Sequence, residues 1–145
     1  MMLLIKMQEA LELNPEDHVL HYELGNLYQR NGELDEAVEE YQKALSIQPA
    51  LTQALNNSAI VYAIKREYDK SLPLFVRITD IDPDRPGTYY NIACMYSKKQ
   101  NIAASIGWLK QAIKIGYNNW DQIKTDKDLE NIRGSSYYKE LIKGR

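Results

Sequence analysis

Apolar residues recur along most of this chain at every third and fourth position, the spacing that lays one stripe on a helix. Short polar breaks such as Asn31-Gly32 interrupt the stripes, so the pattern predicts successive pairs of amphipathic helices. The breaks are periodic. Pro15, Pro49 and Pro83 stand 34 residues apart, and Tyr28, Tyr62 and Tyr96 keep the same interval. So do Gly25, Ala59 and Ala93; Ala37, Ser71 and Ser105; Tyr41, Phe75 and Leu109; Leu34, Tyr68 and Ile102; and Ala10, Ala44, Ile78 and Ala112. Self-similarity at such a period marks a repeat architecture in which each unit shelters the apolar face of the next.

The columns carry the packing logic. Small residues at Gly25, Ala59 and Ala93 are placed to face small residues at Ala37, Ser71 and Ser105, which lets two antiparallel helices approach closely. The proline then ends the second helix, because it disfavours helical geometry in the residue before it. Pro73 falls inside the second helix of the middle unit. There it removes the hydrogen bond to the Asp69 carbonyl, and a kink is expected.

The run His21-Tyr-Glu-Leu24-Gly25-Asn-Leu-Tyr28, followed by Ala37, Tyr41, Ala44 and Pro49, resembles the tetratricopeptide repeat. Residues 18–51 match nearly every signature position, with His21 where that family has tryptophan. Residues 52–85 depart more, with Leu55, Ser58, Ala59 and Ile78 at signature positions, and in residues 86–119 Tyr117 replaces the final proline. The resemblance implies an all-α fold, an α-solenoid of antiparallel helix pairs, spanning 1–145 as one domain. Residues 1–15 fit only the second half of a unit, with Met7, Ala10 and Pro15 in register, which leaves an apolar flank to be covered. Residues 120–145 read as a helical cap, and the stretch from Asn91 through Tyr138 to Leu141 resembles the C-terminal cap of some bacterial arrays. Its apolar set is Trp120, Ile123, Leu129, Ile132, Tyr137, Leu141 and Ile142, with Thr125 or Asp126 capping a helix start.

Charge adds a gradient. Eighteen basic and twenty acidic residues give a net −2, which argues against nucleic acid as a default partner. Residues 1–48, however, carry 3 basic and 10 acidic side chains, whereas 98–145 carry 10 and 5. No apolar run approaches the ~20 residues needed to span a bilayer, so a cytoplasmic chain without a membrane partner is expected.

The chemistry-bearing residues are sparse. His18, His21 and Asp17 have one-turn spacing but no cysteine beside them, and His21 is expected to pack in its tryptophan position rather than bind zinc. Cys94 has no histidine after it to act as a base. Asp80, Asp82 and Asp84 alternate like the opening of a calcium loop, yet its glycine and glutamate places hold Arg85 and Asn91. We expect no catalytic residues, cofactor or metal.

In this family the first helix of each unit lines a concave groove that commonly holds partner peptides. Carried over by register, the groove set is Tyr22, Glu23, Asn26 and Arg30; Gln53, Asn56, Asn57 and Ile60; and Tyr90, Asn91, Cys94 and Lys98. Asn57 and Asn91 share a column and resemble an asparagine ladder for a peptide backbone, since an amide both donates and accepts. Arg30 and Lys98 suit an acidic ligand, Glu23 a basic one. A family subset that clamps the acidic C-termini of heat-shock chaperones needs cations where this chain has Tyr22, Gly87 and Asn91, so such tails are not expected ligands. The expectation is a non-catalytic module binding a protein or peptide. Two alternatives stay open: self-assembly through the N-terminal half unit into a homo-oligomer, and an accessory part of a longer enzyme such as a glycosyltransferase.

Overall fold

The period reappears in the helix boundaries. In the computed structural model, which describes residues 1–145, α1 spans Met2–Leu13, and six helices follow: α2 (His18–Arg30), α3 (Leu34–Ile47), α4 (Thr52–Ile64), α5 (Tyr68–Ile81), α6 (Pro86–Lys98) and α7 (Ile102–Lys114). First helices begin at 18, 52 and 86 and second helices at 34, 68 and 102, each step 34 residues. The chain ends in α8 (Trp120–Thr125), a 3₁₀ segment (Lys127–Ile132) and α9 (Ser136–Leu141). There are no strands.

The turns between paired helices repeat as well. Gly32, Arg66 and Gln100, again 34 apart, take φ of 79°, 61° and 62°. This left-handed residue closes each first helix: Glu33 N–H donates to the Tyr28 carbonyl (2.9 Å), Glu67 to Tyr62 (2.8 Å) and Asn101 to Tyr96 (2.9 Å). Only Gly32 adopts that conformation freely; for Arg66 and Gln100 the Cβ makes it cost about 1 kcal/mol each.

The chain divides into two compact units, Met1–Glu67 and Tyr68–Arg145. In the first, Ala37, Val38, Tyr41, Ala54 and Val61 form a buried cluster, with Tyr22, Tyr28, Leu34, Leu45, Leu51 and Tyr62 packed partly against it. Gly25 is required here, because a Cβ would stand 2.6 Å from Cε1 of Tyr41, whose side chain is fully buried. The small-on-small approach is seen in the third pair, where Ser105 Oγ donates to the Ala93 carbonyl at 2.7 Å. His21 packs as its tryptophan position requires, buried, with Nδ1 2.9 Å from Glu40 Oε1 and Nε2 2.7 Å from the Pro15 carbonyl oxygen. Neither ring nitrogen faces open space. Of α1 only Met7 is buried, while Met2, Leu3, Ile5 and Leu13 are exposed.

In the second unit α5 begins at Tyr68 and continues unbroken through Pro73, its sixth residue, which is exposed. The cap buries Ile123, Leu129 and Ile132 completely. Its aromatic anchor is Tyr138, buried and donating to the Ile123 carbonyl at 3.3 Å, rather than the expected Tyr137, which is exposed. Asp126 is the helix-start cap, accepting from the Asp128 N–H at 2.9 Å, while Thr125 donates back to the Asp121 carbonyl. No helix is long and apolar enough to cross a membrane.

Candidate functional site

In the first unit, α2 and α4 present side chains that meet in one polar network. Asn57 Nδ2, on α4, donates to Asn26 Oδ1 (2.9 Å) and to the Tyr22 hydroxyl (3.2 Å), both on α2. Asn26 Oδ1 also accepts from the Tyr41 hydroxyl at 2.6 Å, and Gln29 Oε1 lies 2.8 Å from the same hydroxyl. Burial pushes the Tyr41 phenol up to about 12, so it stays a donor at neutral pH. The network holds one wall of an open cleft of about 480 Å³ lined by Asn26, Gln29, Arg30 and Asn57. Arg30 is exposed in the last turn of α2. Glu23 and Gln53 lie outside the cleft lining, and Asn56 and Ile60 are half-buried, with Asn56 Nδ2 3.5 Å from Asn57 Oδ1.

The second unit treats the matching positions differently. Tyr90 and Cys94, in the columns of Tyr22 and Asn26, are each only 3 % exposed. They are not available as groove residues, because the cap covers them. The Tyr90 ring stacks on Tyr117 with centroids 4.4 Å apart and planes 6° from parallel, and its hydroxyl donates to Asp126 Oδ2 at 2.6 Å. Lys98 pairs with Asp128 at 3.3 Å, and Asn131 Nδ2 donates to the Ser97 carbonyl at 2.9 Å. Asn91 remains half-buried.

Cys94 Sγ and the Asp126 and Asp128 carboxylates lie within 4.8 Å of one another. Burial first, then those two carboxylates, push the thiol well above its ordinary range. A nucleophilic cysteine needs the opposite surroundings. Tyr90 and Lys98 already satisfy the two carboxylates, so the cluster reads as a staple between α6 and the cap.

Two participants carry little sign in the sequence. The Tyr41 hydroxyl reaches the polar network although its ring belongs to the core; the signal is a tyrosine in a column that otherwise holds Phe75 and Leu109. Asp126 plays toward Tyr90 the part that Asn57 plays toward Tyr22, one residue out of the 34-residue register.

Tetratricopeptide-repeat family models match residues 18–51 and 86–118. These two segments are tetratricopeptide repeats. The fold class of the chain is accordingly the α-solenoid of antiparallel helix pairs. A solved tetratricopeptide repeat protein from Parabacteroides merdae superposes on 96 % of this chain and 56 % of its own length with a TM-score of 0.81 at 22 % identity. Among curated relatives, a chloroplastic protein of Arabidopsis thaliana is 27 % identical over 82 % of this chain and 26 % of its own length. A photosystem I assembly protein, Ycf3 of Prochlorococcus marinus, is 29 % identical over 61 % of this chain and 53 % of its own. The chain thus spans about a quarter of the Arabidopsis protein and about half of Ycf3.

Proposed function

We propose that this tetratricopeptide-repeat protein is a non-catalytic interaction module that holds an extended segment of a partner protein against α2 and α4. The observation that carries the reading is the open cleft of Asn26, Gln29, Arg30 and Asn57, where amides and one exposed guanidinium converge on an unfilled volume. Amides recognise a peptide backbone whatever its sequence, and Arg30 favours an acidic or carboxylate-bearing partner. The family supports an interaction or assembly role, and the assembly role in the name of Ycf3 is in keeping with it. Asn91 offers the same amide chemistry on α6, without Tyr90 and Cys94.

Partner capture by the wild-type chain beside Asn57→Ala and Arg30→Ala tests this. The variants are expected to lose capture while keeping wild-type far-ultraviolet circular dichroism; undiminished capture overturns the reading. The exposed apolar residues of α1 favour a second reading, self-association through that helix. Light scattering over a concentration series decides it, since a monomer at every concentration removes it.

A further inference from the structure

The second unit contains a cleft that the partner reading leaves unused. About 470 Å³ in volume, it is lined by Thr79 and Asp80 at the end of α5, Tyr89 of α6, and Ala104, Gly107, Trp108 and Gln111 of α7. Two aromatic rings frame it: Tyr89 and Trp108 have centroids 5.8 Å apart with planes tilted by 42°. The Tyr89 ring is held in place by its hydroxyl, which donates to the Pro83 carbonyl at 2.9 Å. Gly107 leaves the α7 side of the cleft open, for a Cβ there would meet nothing within 4 Å. Asp80 is exposed and has no cationic partner, whereas Asp82, two residues on, pairs with Arg85 at 2.8 Å. The Thr79 hydroxyl is already engaged by the Val76 carbonyl.

We propose that this cleft receives an arginine side chain of a partner protein. Charge complementarity selects this occupant. An indole and a phenol ring present negative faces to a cation, and an unpaired carboxylate beside them attracts the same ligand. Guanidinium suits this better than ammonium, because its plane stacks on an aromatic ring, it is weakly hydrated, and it offers several donors to Asp80 and to the Gln111 amide oxygen. The methylenes of the arginine cover the apolar floor at Ala104 and Gly107. A neutral aliphatic or aromatic anchor fills the same space but strips water from Asp80 without replacing its hydrogen bonds.

The test uses the full chain with Trp120→Phe, which leaves Trp108 as the single indole. Its emission is followed on titration with an end-blocked glycine peptide carrying one central arginine, and with the neutral citrulline counterpart at matched ionic strength. The arginine peptide is expected to give a saturable change, and Asp80→Asn to weaken it about fivefold, the scale of one exposed charged contact. Gly107→Leu, which fills the cleft from an exposed helical position where an added Cβ meets nothing within 4 Å, is expected to abolish the change while circular dichroism stays at wild type. Equal affinity for the citrulline peptide, no saturable change with arginine, or undiminished binding to Gly107→Leu each overturns the proposal.

Discussion

Tyr22 and Asn26 on α2 occupy the same repeat positions as Tyr90 and Cys94 on α6, and the two pairs have opposite surroundings. The first pair meets Asn57 and borders an open cleft; the second meets Asp126 and lies beneath the cap. An equivalent position in a repeat is therefore not an equivalent site. What decides between ligand surface and packing surface is the later element that packs against it, α4 for α2 and the 3₁₀ segment for α6. Where that element is another first helix, amide meets amide and the surface stays wet. Where it is the 3₁₀ segment, a carboxylate and a stacked ring close the surface.

The difference can be broken most forcefully at the cap. Ile132→Ala removes a completely buried side chain and is expected to cost about 3 kcal/mol in urea unfolding. A cost under about 1 kcal/mol, the level of a surface change, would mean the cap is not packed as described. Tyr90→Phe comes next, at about 2 kcal/mol, because it strips a half-buried carboxylate of a short hydrogen bond. Its column mate sharpens the contrast: Tyr22→Phe, losing one 3.2 Å contact from a neutral amide, is expected to cost about 0.5 kcal/mol by the same measurement. Equal costs for the two tyrosines would erase the distinction. Arg66→Gly and Gln100→Gly, one in each unit, probe what the regions share. Each relieves a left-handed backbone and is expected to raise stability by a few tenths of a kcal/mol, up to about 1 kcal/mol, once the greater freedom of unfolded glycine is set against the relief.

Much of this is legible in the sequence because packing columns recur. The 34-residue interval locates the helices α2 to α7, the family resemblance, and the burial of His21 and Tyr41. What is hidden lies where the period stops or where the residue type is uninformative. The cap follows no repeat, so nothing in the columns of Tyr90 and Cys94 announces that Asp126 will cover them. Adjacent Tyr137 and Tyr138 differ only by rotation on a six-residue helix, too short for a periodic pattern to choose between them. Arg66 and Gln100 carry no sign of positive φ, since only glycine advertises it. At the cleft, register alone makes Asn26, Arg30 and Asn57 neighbours, but their mutual hydrogen bonds, and the hydroxyl of Tyr41 among them, emerge only from the packed structure.

The contrast between the two faces comes down to whether a thiol in that column meets solvent. Cys94 in the wild-type chain and a thiol introduced by Asn26→Cys in a Cys94→Ser background occupy equivalent places, and their rates of reaction with an aromatic disulfide reagent compare them directly. The introduced thiol should react at least about a hundredfold faster, because Cys94 must wait for the cap to open and its thiolate is disfavoured by burial. Comparable rates would show that the cap does not close the α6 face.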